Sequence, residues 1–122
     1  MHGIIYYRNR HGKSPIADYL RELDSRKDKK SCILLTKIYD YIDYLREAGK
    51  SAGEPYIKHL DGEIWELRPV KERVLFAAWD GNMFILLHHF TKKTRKTPQK
   101  EIDRAKRNLA DYRERSGNDE KG

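Results

Sequence analysis

The segment at residues 83–90 constrains the fold most, because it is apolar on both faces of an extended strand. Residues 73–79 have a second strand pattern, and Asp80, Gly81 and Asn82 between the two segments are typical of a β-hairpin turn. A strand that is apolar on both faces has to be covered on both sides. We therefore expect residues 83–90 at the centre of a sheet.

The other segments alternate between helical and extended patterns. Residues 4–7 predict a first strand, and Ser14-Pro15 predicts the start of a short helix that pairs with a longer one over residues 34–45, across a charged connection at 24–30. Residues 56–60 are either a short strand or an extended lead-in to the strand at 63–68. Thr97-Pro98 repeats the helix-start signal and precedes a basic C-terminal helix.

This order, β-α-α-β-β-β-α, predicts an α+β fold. We expect a small, twisted, mainly antiparallel sheet with the helical hairpin on one face. One domain is predicted at residues 1–115, followed by a polar, disordered tail at 116–122. No apolar run approaches the roughly 20 residues of a membrane span, and no signal-peptide pattern is visible. The single cysteine excludes an internal disulfide and favours a cytoplasmic location.

The positive charge is concentrated in one part of the chain. The 122 residues include 26 Lys plus Arg and 19 Asp plus Glu, a net charge of +7. Residues 88–107 contain eight basic and two acidic residues, so this window alone is net +6. Such a run is either a solvated helix face or the binding surface for a polyanion, which means nucleic acid or an acidic protein.

Four cations are expected to meet at one rim of the sheet. Arg68 ends one strand, Arg73 begins the next, and Lys92 and Lys93 follow the last strand, so hairpin pairing brings all four together. Glu66 shares a strand face with Arg68. The cluster is suited either to surface ion pairs or to binding a phosphate and stabilising its extra charge in a transition state.

The histidines give no metal pattern. His88 and His89 are adjacent on a strand and therefore face opposite sides, and no ligand spacing of a known metal motif occurs. We expect no metal and no cofactor.

Three motifs resemble the HigB-like, phage-derived branch of the RelE toxin superfamily. They are WELR at residues 65–68, RVLF at 73–76 and HxFxKKTxKTP at 88–98, in the order and spacing of that family. The resemblance implies a RelE-like fold and the toxin of a type II toxin–antitoxin system. It also implies a ribosome-dependent mRNA endoribonuclease, working by metal-free 2′-OH attack on the scissile phosphate. The implied partners are the ribosome, mRNA and a cognate antitoxin, often of the helix-turn-helix type.

The resemblance assigns roles to individual residues. Arg73 and Lys93 would stabilise charge together with Arg68, and Glu66 would transfer a proton, with His88 as second choice. RNA contacts are expected from five residues: Lys58, His59, Lys92, Arg95 and Lys96.

Two departures from the family pattern leave the base open. Better-studied members have lysines where this chain has Ile64 and Glu66, and a tyrosine after the last strand where this chain has a Lys-Thr-rich run. A histidine, namely His59, His88 or His89, is therefore an alternative base. The competing hypothesis is a non-catalytic nucleic-acid-binding module, or a degenerate toxin retained for antitoxin binding.

Overall fold

The structure is a computed structural model that describes residues 1–121. It contains five strands, three α-helices and one short 3-10 helix. In chain order these elements are β1 (Gly3–Tyr6), α1 (Pro15–Arg26), α2 (Lys29–Ala48), the 3-10 helix (Gly49–Ala52), β2 (Ile57–Asp61), β3 (Ile64–Leu67), β4 (Glu72–Trp79), β5 (Met83–Thr91) and α3 (Gln99–Lys121).

The five strands form a single sheet in the order β1-β5-β4-β3-β2. The N-terminal strand β1 runs parallel to β5, and every other neighbouring pair is antiparallel. This confirms the α+β fold with a mainly antiparallel sheet. The segment at residues 56–60, predicted as either a strand or an extended lead-in, forms the strand β2 at Ile57–Asp61, which pairs with β3. The sheet therefore has one strand more than the predicted order contains.

The strand β5 is covered on both faces, as its sequence predicts. Phe84 and Leu86 pack into a core beneath α1 and α2, whereas Ile85 and Leu87 pack into a second core beneath α3. Alternation along one strand thus supplies two separate cores. The helical hairpin lies on one face of the sheet and α3 on the other.

Local capping fixes where the two hairpin helices begin. The Ser14 hydroxyl accepts a hydrogen bond from the Ala17 amide, and Pro15 occupies the first turn of α1. Asp28 caps α2 by accepting from the Ser31 amide at 2.9 Å. Because Asp28 starts a helix, the charged connection expected over residues 24–30 was wrong in length: only Lys27 and Asp28 separate α1 from α2.

Polar contacts link α3 to Tyr7, which directly follows β1, and to the turn before β3. Asp111 accepts from the Tyr7 hydroxyl at 2.6 Å and from Arg115 at 2.9 Å, and these bonds, Arg115 first, lower the pKa of Asp111 to about 2. Arg113 pairs with Glu63 at 2.7 Å.

The helix α3 extends through Lys121, beyond the point where the sequence predicted a disordered tail. A single internal glycine such as Gly117 costs a helix only about 1 kcal/mol, and no proline follows it. Gly122, the last residue of the predicted tail, lies outside the described residues. Within residues 1–121, no helix combines the length and apolar character needed to cross a bilayer.

Candidate active site

The ends of three strands meet at one edge of the sheet. Antiparallel pairing places the end of β3 beside the start of β4, and the start of β4 beside the end of β5, with Glu72 opposite Thr91. The structure therefore brings together the four cations that the sequence placed there. We call this set the cationic rim: Arg68, Arg73, Lys92 and Lys93.

Glu66 is the buried centre of this rim. Its side chain is 1% exposed, with Arg68 Nε 3.5 Å from one carboxylate oxygen and Arg73 Nε 3.9 Å from the other. The Thr97 hydroxyl donates to the same carboxylate. One buried negative charge between two guanidinium groups offsets their mutual repulsion. Glu66 thus holds the two arginines near one point, and its carboxylate is shielded from solvent.

Arg73 is held rigidly by the backbone. Its Nη1 donates to the carbonyl oxygens of Glu72 at 2.7 Å and Val70 at 3.0 Å. Burial lowers the pKa of Arg73, opposed by the nearby Glu66, and a guanidinium stays charged at neutral pH. The Nε atoms of Arg73 and Arg68 are buried without a hydrogen-bond partner. Both Nε atoms face the Glu66 carboxylate, so one buried anion holds the two guanidinium groups at the rim.

The ammonium group of Lys92 has a lowered pKa. Burial is the largest cause that lowers the pKa of its ammonium group; Glu66 opposes the shift, and the positive charges of Arg73, Arg68 and Lys58 add to it. A lysine in these surroundings gives up its proton more readily than a lysine in water.

Two adjoining clefts open at the rim. The rim cleft, of about 650 Å³, is lined by Val70, Lys71, Arg73, Thr91, Lys92, Lys93, Thr94 and Arg95. The side cleft, of about 210 Å³, is lined by Lys58, His59, Leu60, Glu66, Lys92, Arg95, Lys96, Thr97 and Ile102. All five residues predicted to contact RNA line the side cleft, and Lys92 and Arg95 line both clefts. Successive phosphates of one nucleic-acid chain could therefore bind in the two clefts.

Of the three candidate histidines, His59 lines the side cleft, whereas His88 and His89 line neither cleft. His88 Nε2 is 2.9 Å from Glu101 of α3, while His89 stacks on Tyr19 of α1 with ring centroids 4.4 Å apart, so the two face opposite sides as predicted. Burial and the neighbouring His88 lower the pKa of His89. The His59 ring is bonded to the Gly62 carbonyl oxygen at 2.8 Å. The structure thus does not place His88, the second choice for proton transfer, in either cleft.

The roles of two further side chains at this edge, Thr97 and Glu72, are not predictable from the sequence. The sequence predicts Thr97 as a helix cap, but α3 begins at Gln99 and the Thr97 hydroxyl donates a hydrogen bond to Glu66. Glu72 is 5% exposed and accepts from the hydroxyls of Tyr19 at 2.5 Å and Thr91 at 2.9 Å. Both contacts join segments far apart in the chain, which no local pattern reveals.

No metal-binding cluster accompanies this site. Within residues 1–121, no group of three or more His, Cys, Asp or Glu side chains is arranged to hold a metal ion.

One family of known proteins matches most of the chain. A sequence model of the family described as "Phage derived protein Gp49-like (DUF891)" matches residues 18–110, which is 93 of the 122 residues. The matched span includes β2 to β5 and all four cations of the rim. No curated protein matches the chain.

Proposed function

The chain belongs to the phage-derived Gp49-like family, and from this we propose that it is a ribosome-dependent endoribonuclease that cleaves mRNA. The Gp49-like family is a RelE/HigB-like toxin family, and a toxin of this kind implies an antitoxin partner. Within that family we propose the HigB-like branch. The observation that supports this activity is the cationic rim, in which two arginines are fixed around the buried Glu66 and Arg73, Lys92 and Lys93 line one cleft.

The proposed reaction is an internal transfer within the RNA. The ribose 2′-oxygen forms a bond to the adjacent phosphorus, the bond from phosphorus to the 5′-oxygen breaks, and the products are a cyclic 2′,3′-phosphate and a 5′-hydroxyl. The phosphorane between them carries extra negative charge. Arg68, Arg73 and Lys93 would stabilise that charge, because fixed cations in a cleft need no reorganisation during the reaction.

Glu66 and Lys92 have different roles in the proposed reaction. The burial of Glu66 and its contacts with two arginines support a role in positioning them, in place of the proton transfer expected from the sequence. We propose that the Lys92 ammonium, acidified by its surroundings, donates a proton to the departing 5′-oxygen. The 2′-hydroxyl proton passes to water in the open rim cleft.

Lys92→Arg is expected to slow cleavage about 10²-fold, the low end for loss of a general acid. Arginine keeps the positive charge but cannot release a proton near neutral pH. A substrate with sulfur in place of the 5′-bridging oxygen has a leaving group that needs no proton, so the variant should cleave it nearly as fast as the parent. Rates on both substrates are measured with ribosome-bound RNA, with Lys93→Arg as the matched control.

The acidified lysine also predicts a pH profile. A general acid acts in its protonated form, so parent activity on the oxygen substrate should fall as pH rises through the Lys92 pKa. That fall should begin below the ordinary lysine value of 10.5 and be absent in Lys92→Arg. An equal loss by Lys92→Arg on both substrates would contradict the assignment of Lys92 as general acid.

Expression of the chain alone tests the function itself. We expect growth to stop because protein synthesis stops, measured as the loss of labelled methionine incorporation, with cuts in mRNA mapped by primer extension. Co-expression of the antitoxin should restore synthesis. We propose that this antitoxin is a helix-turn-helix protein and that the toxin acts in the cytoplasm, where translating ribosomes are found.

The competing function is a non-catalytic nucleic-acid-binding module, or a degenerate toxin that only binds its antitoxin. Either would leave mRNA intact when the chain is expressed. Continued protein synthesis with uncut mRNA, in cells that accumulate the folded chain, would favour it.

A further inference from the structure

Three tyrosines, two exposed and one half-buried, form an aromatic surface next to the cationic rim. Tyr41 and Tyr44 lie one turn apart on α2, and Tyr56 precedes β2. The Tyr56 ring centroid is 4.6 Å from that of Tyr44 and 5.3 Å from that of Tyr41. We call this set the tyrosine ladder: Tyr41, Tyr44 and Tyr56. Tyr44 and Tyr56 are 41% and 36% exposed, so aromatic surface is accessible to a ligand.

The tyrosine ladder is continuous with the rim. The Arg68 amide donates to the Tyr56 carbonyl oxygen at 3.0 Å, which ties the start of β2 to the end of β3. Tyr41 also lies near the rim. Burial lowers the pKa of Arg73, and Tyr41 is one of the nearby groups that oppose this shift. A strand whose phosphate lies at the rim would therefore have a neighbouring base within reach of the tyrosines.

The charges on α2 favour a base over a phosphate at this position. Asp40 and Glu47 lie four residues before and three residues after Tyr44, on the same helix face, and both are exposed. Their carboxylates would repel a phosphate near the ladder. A nucleobase is uncharged and stacks on aromatic rings whatever its identity.

Building on the proposed function, we propose that the tyrosine ladder is a nucleobase-stacking subsite for the RNA nucleotide next to the scissile phosphate. The rim would hold the phosphate by charge and the ladder would hold the base by stacking. Recognition of single-stranded RNA commonly combines these two components.

The test measures binding of a synthetic heptanucleotide RNA made uncleavable by 2′-O-methyl riboses. Tyr44→Ala should weaken binding about five- to a hundredfold, the range for loss of one base–aromatic contact, while Tyr44→Phe should bind like the parent. The matched control is Tyr39→Ala. Tyr39 is 44% exposed on the same helix but lines a different cleft, beside Tyr6 and Arg8, so its loss should leave binding unchanged.

Salt and abasic RNA separate stacking from charge. Tyr44→Ala should lower affinity without changing the slope of log affinity against log salt, because no phosphate contact is lost. Lys96→Ala should reduce that slope by about 0.7, the value for one contact with single-stranded nucleic acid. With an abasic heptanucleotide, Tyr44→Ala and the parent should bind equally.

The outcomes distinguish the ladder from the function. Equal binding of the base-containing RNA by Tyr44→Ala and the parent would overturn the subsite, and so would undetectable binding by the parent, even if the parent still cleaves mRNA on ribosomes. A Tyr44→Ala variant that loses only antitoxin binding would make the ladder a protein contact and likewise overturn it. Failure of the proposed function would instead appear as uncut mRNA in cells expressing the parent chain.

Discussion

Replacing Arg73 with alanine is expected to slow mRNA cleavage by about 10²–10³-fold, the usual loss for removal of one preorganised charge-stabilising group, and to abolish growth arrest. Arg73 is 9% exposed, is fixed by two backbone carbonyl oxygens and lines the rim cleft. Its guanidinium therefore reaches a phosphate in a prearranged position. The rate is measured on ribosome-bound mRNA at saturating ribosome concentration.

Folding must be controlled separately, because Arg73 also supports the β3–β4 turn. It binds the carbonyl oxygen of Val70, a β-branched residue with a φ of 55°, which is a strained left-handed conformation. Arg73→Lys keeps the charge but loses the planar fork of donors, so we expect an intermediate rate with a melting temperature near that of the parent.

A matched control is Arg21→Ala, which removes an exposed cation paired with Asp18 on α1. Arg21 lines the cleft beside Tyr6 and Arg8, which shares no residue with the rim cleft. It should cleave like the parent. If a folded Arg73→Ala variant arrests growth as fully as Arg21→Ala, charge stabilisation by Arg73 is wrong.

The periodicity of the sequence and the rules of strand pairing were sufficient to predict the two central strands of the sheet, β4 and β5. The two-faced apolar pattern of β5 placed it inside the sheet, and the turn at residues 80–82 paired it with β4. Once these two strands are antiparallel, the start of one must lie beside the end of the other. The position of Arg73 near Lys92 and Lys93 therefore follows from the sequence, because a hairpin leaves no other arrangement.

The interior of the site was less predictable. Glu66 alternates with Trp65 and Leu67 as a solvent-facing residue would, yet it is buried because Thr97, from the segment before α3, covers it. The tyrosine ladder likewise joins a helix to a loop before β2. Such contacts depend on how separate elements pack, and no local sequence pattern records that packing.

Cleavage is expected to be about 10³-fold or more faster on programmed ribosomes than on the same transcript free in solution, since alignment of reacting groups supplies several kcal/mol. The site supplies charge but little alignment. Its carboxylate Glu66 is buried, and among the described residues no pair of histidines faces the rim: His88 is bonded to Glu101 and His89 stacks on Tyr19. Flexible RNA must therefore be bent for in-line attack by something else.

The ribosome is suited to supply that alignment, because its A site holds a codon in a fixed path. The net +6 segment at residues 88–107 would dock on ribosomal RNA, so activity on ribosomes should decrease steeply with salt. The two reactions are compared at equal enzyme and salt, with ribosomes whose A site is filled by tRNA as the control. Filling the A site should reduce cleavage to the rate on free RNA. Comparable rates on free and ribosome-bound RNA would refute ribosome dependence, and would require a complete acid–base pair within this chain.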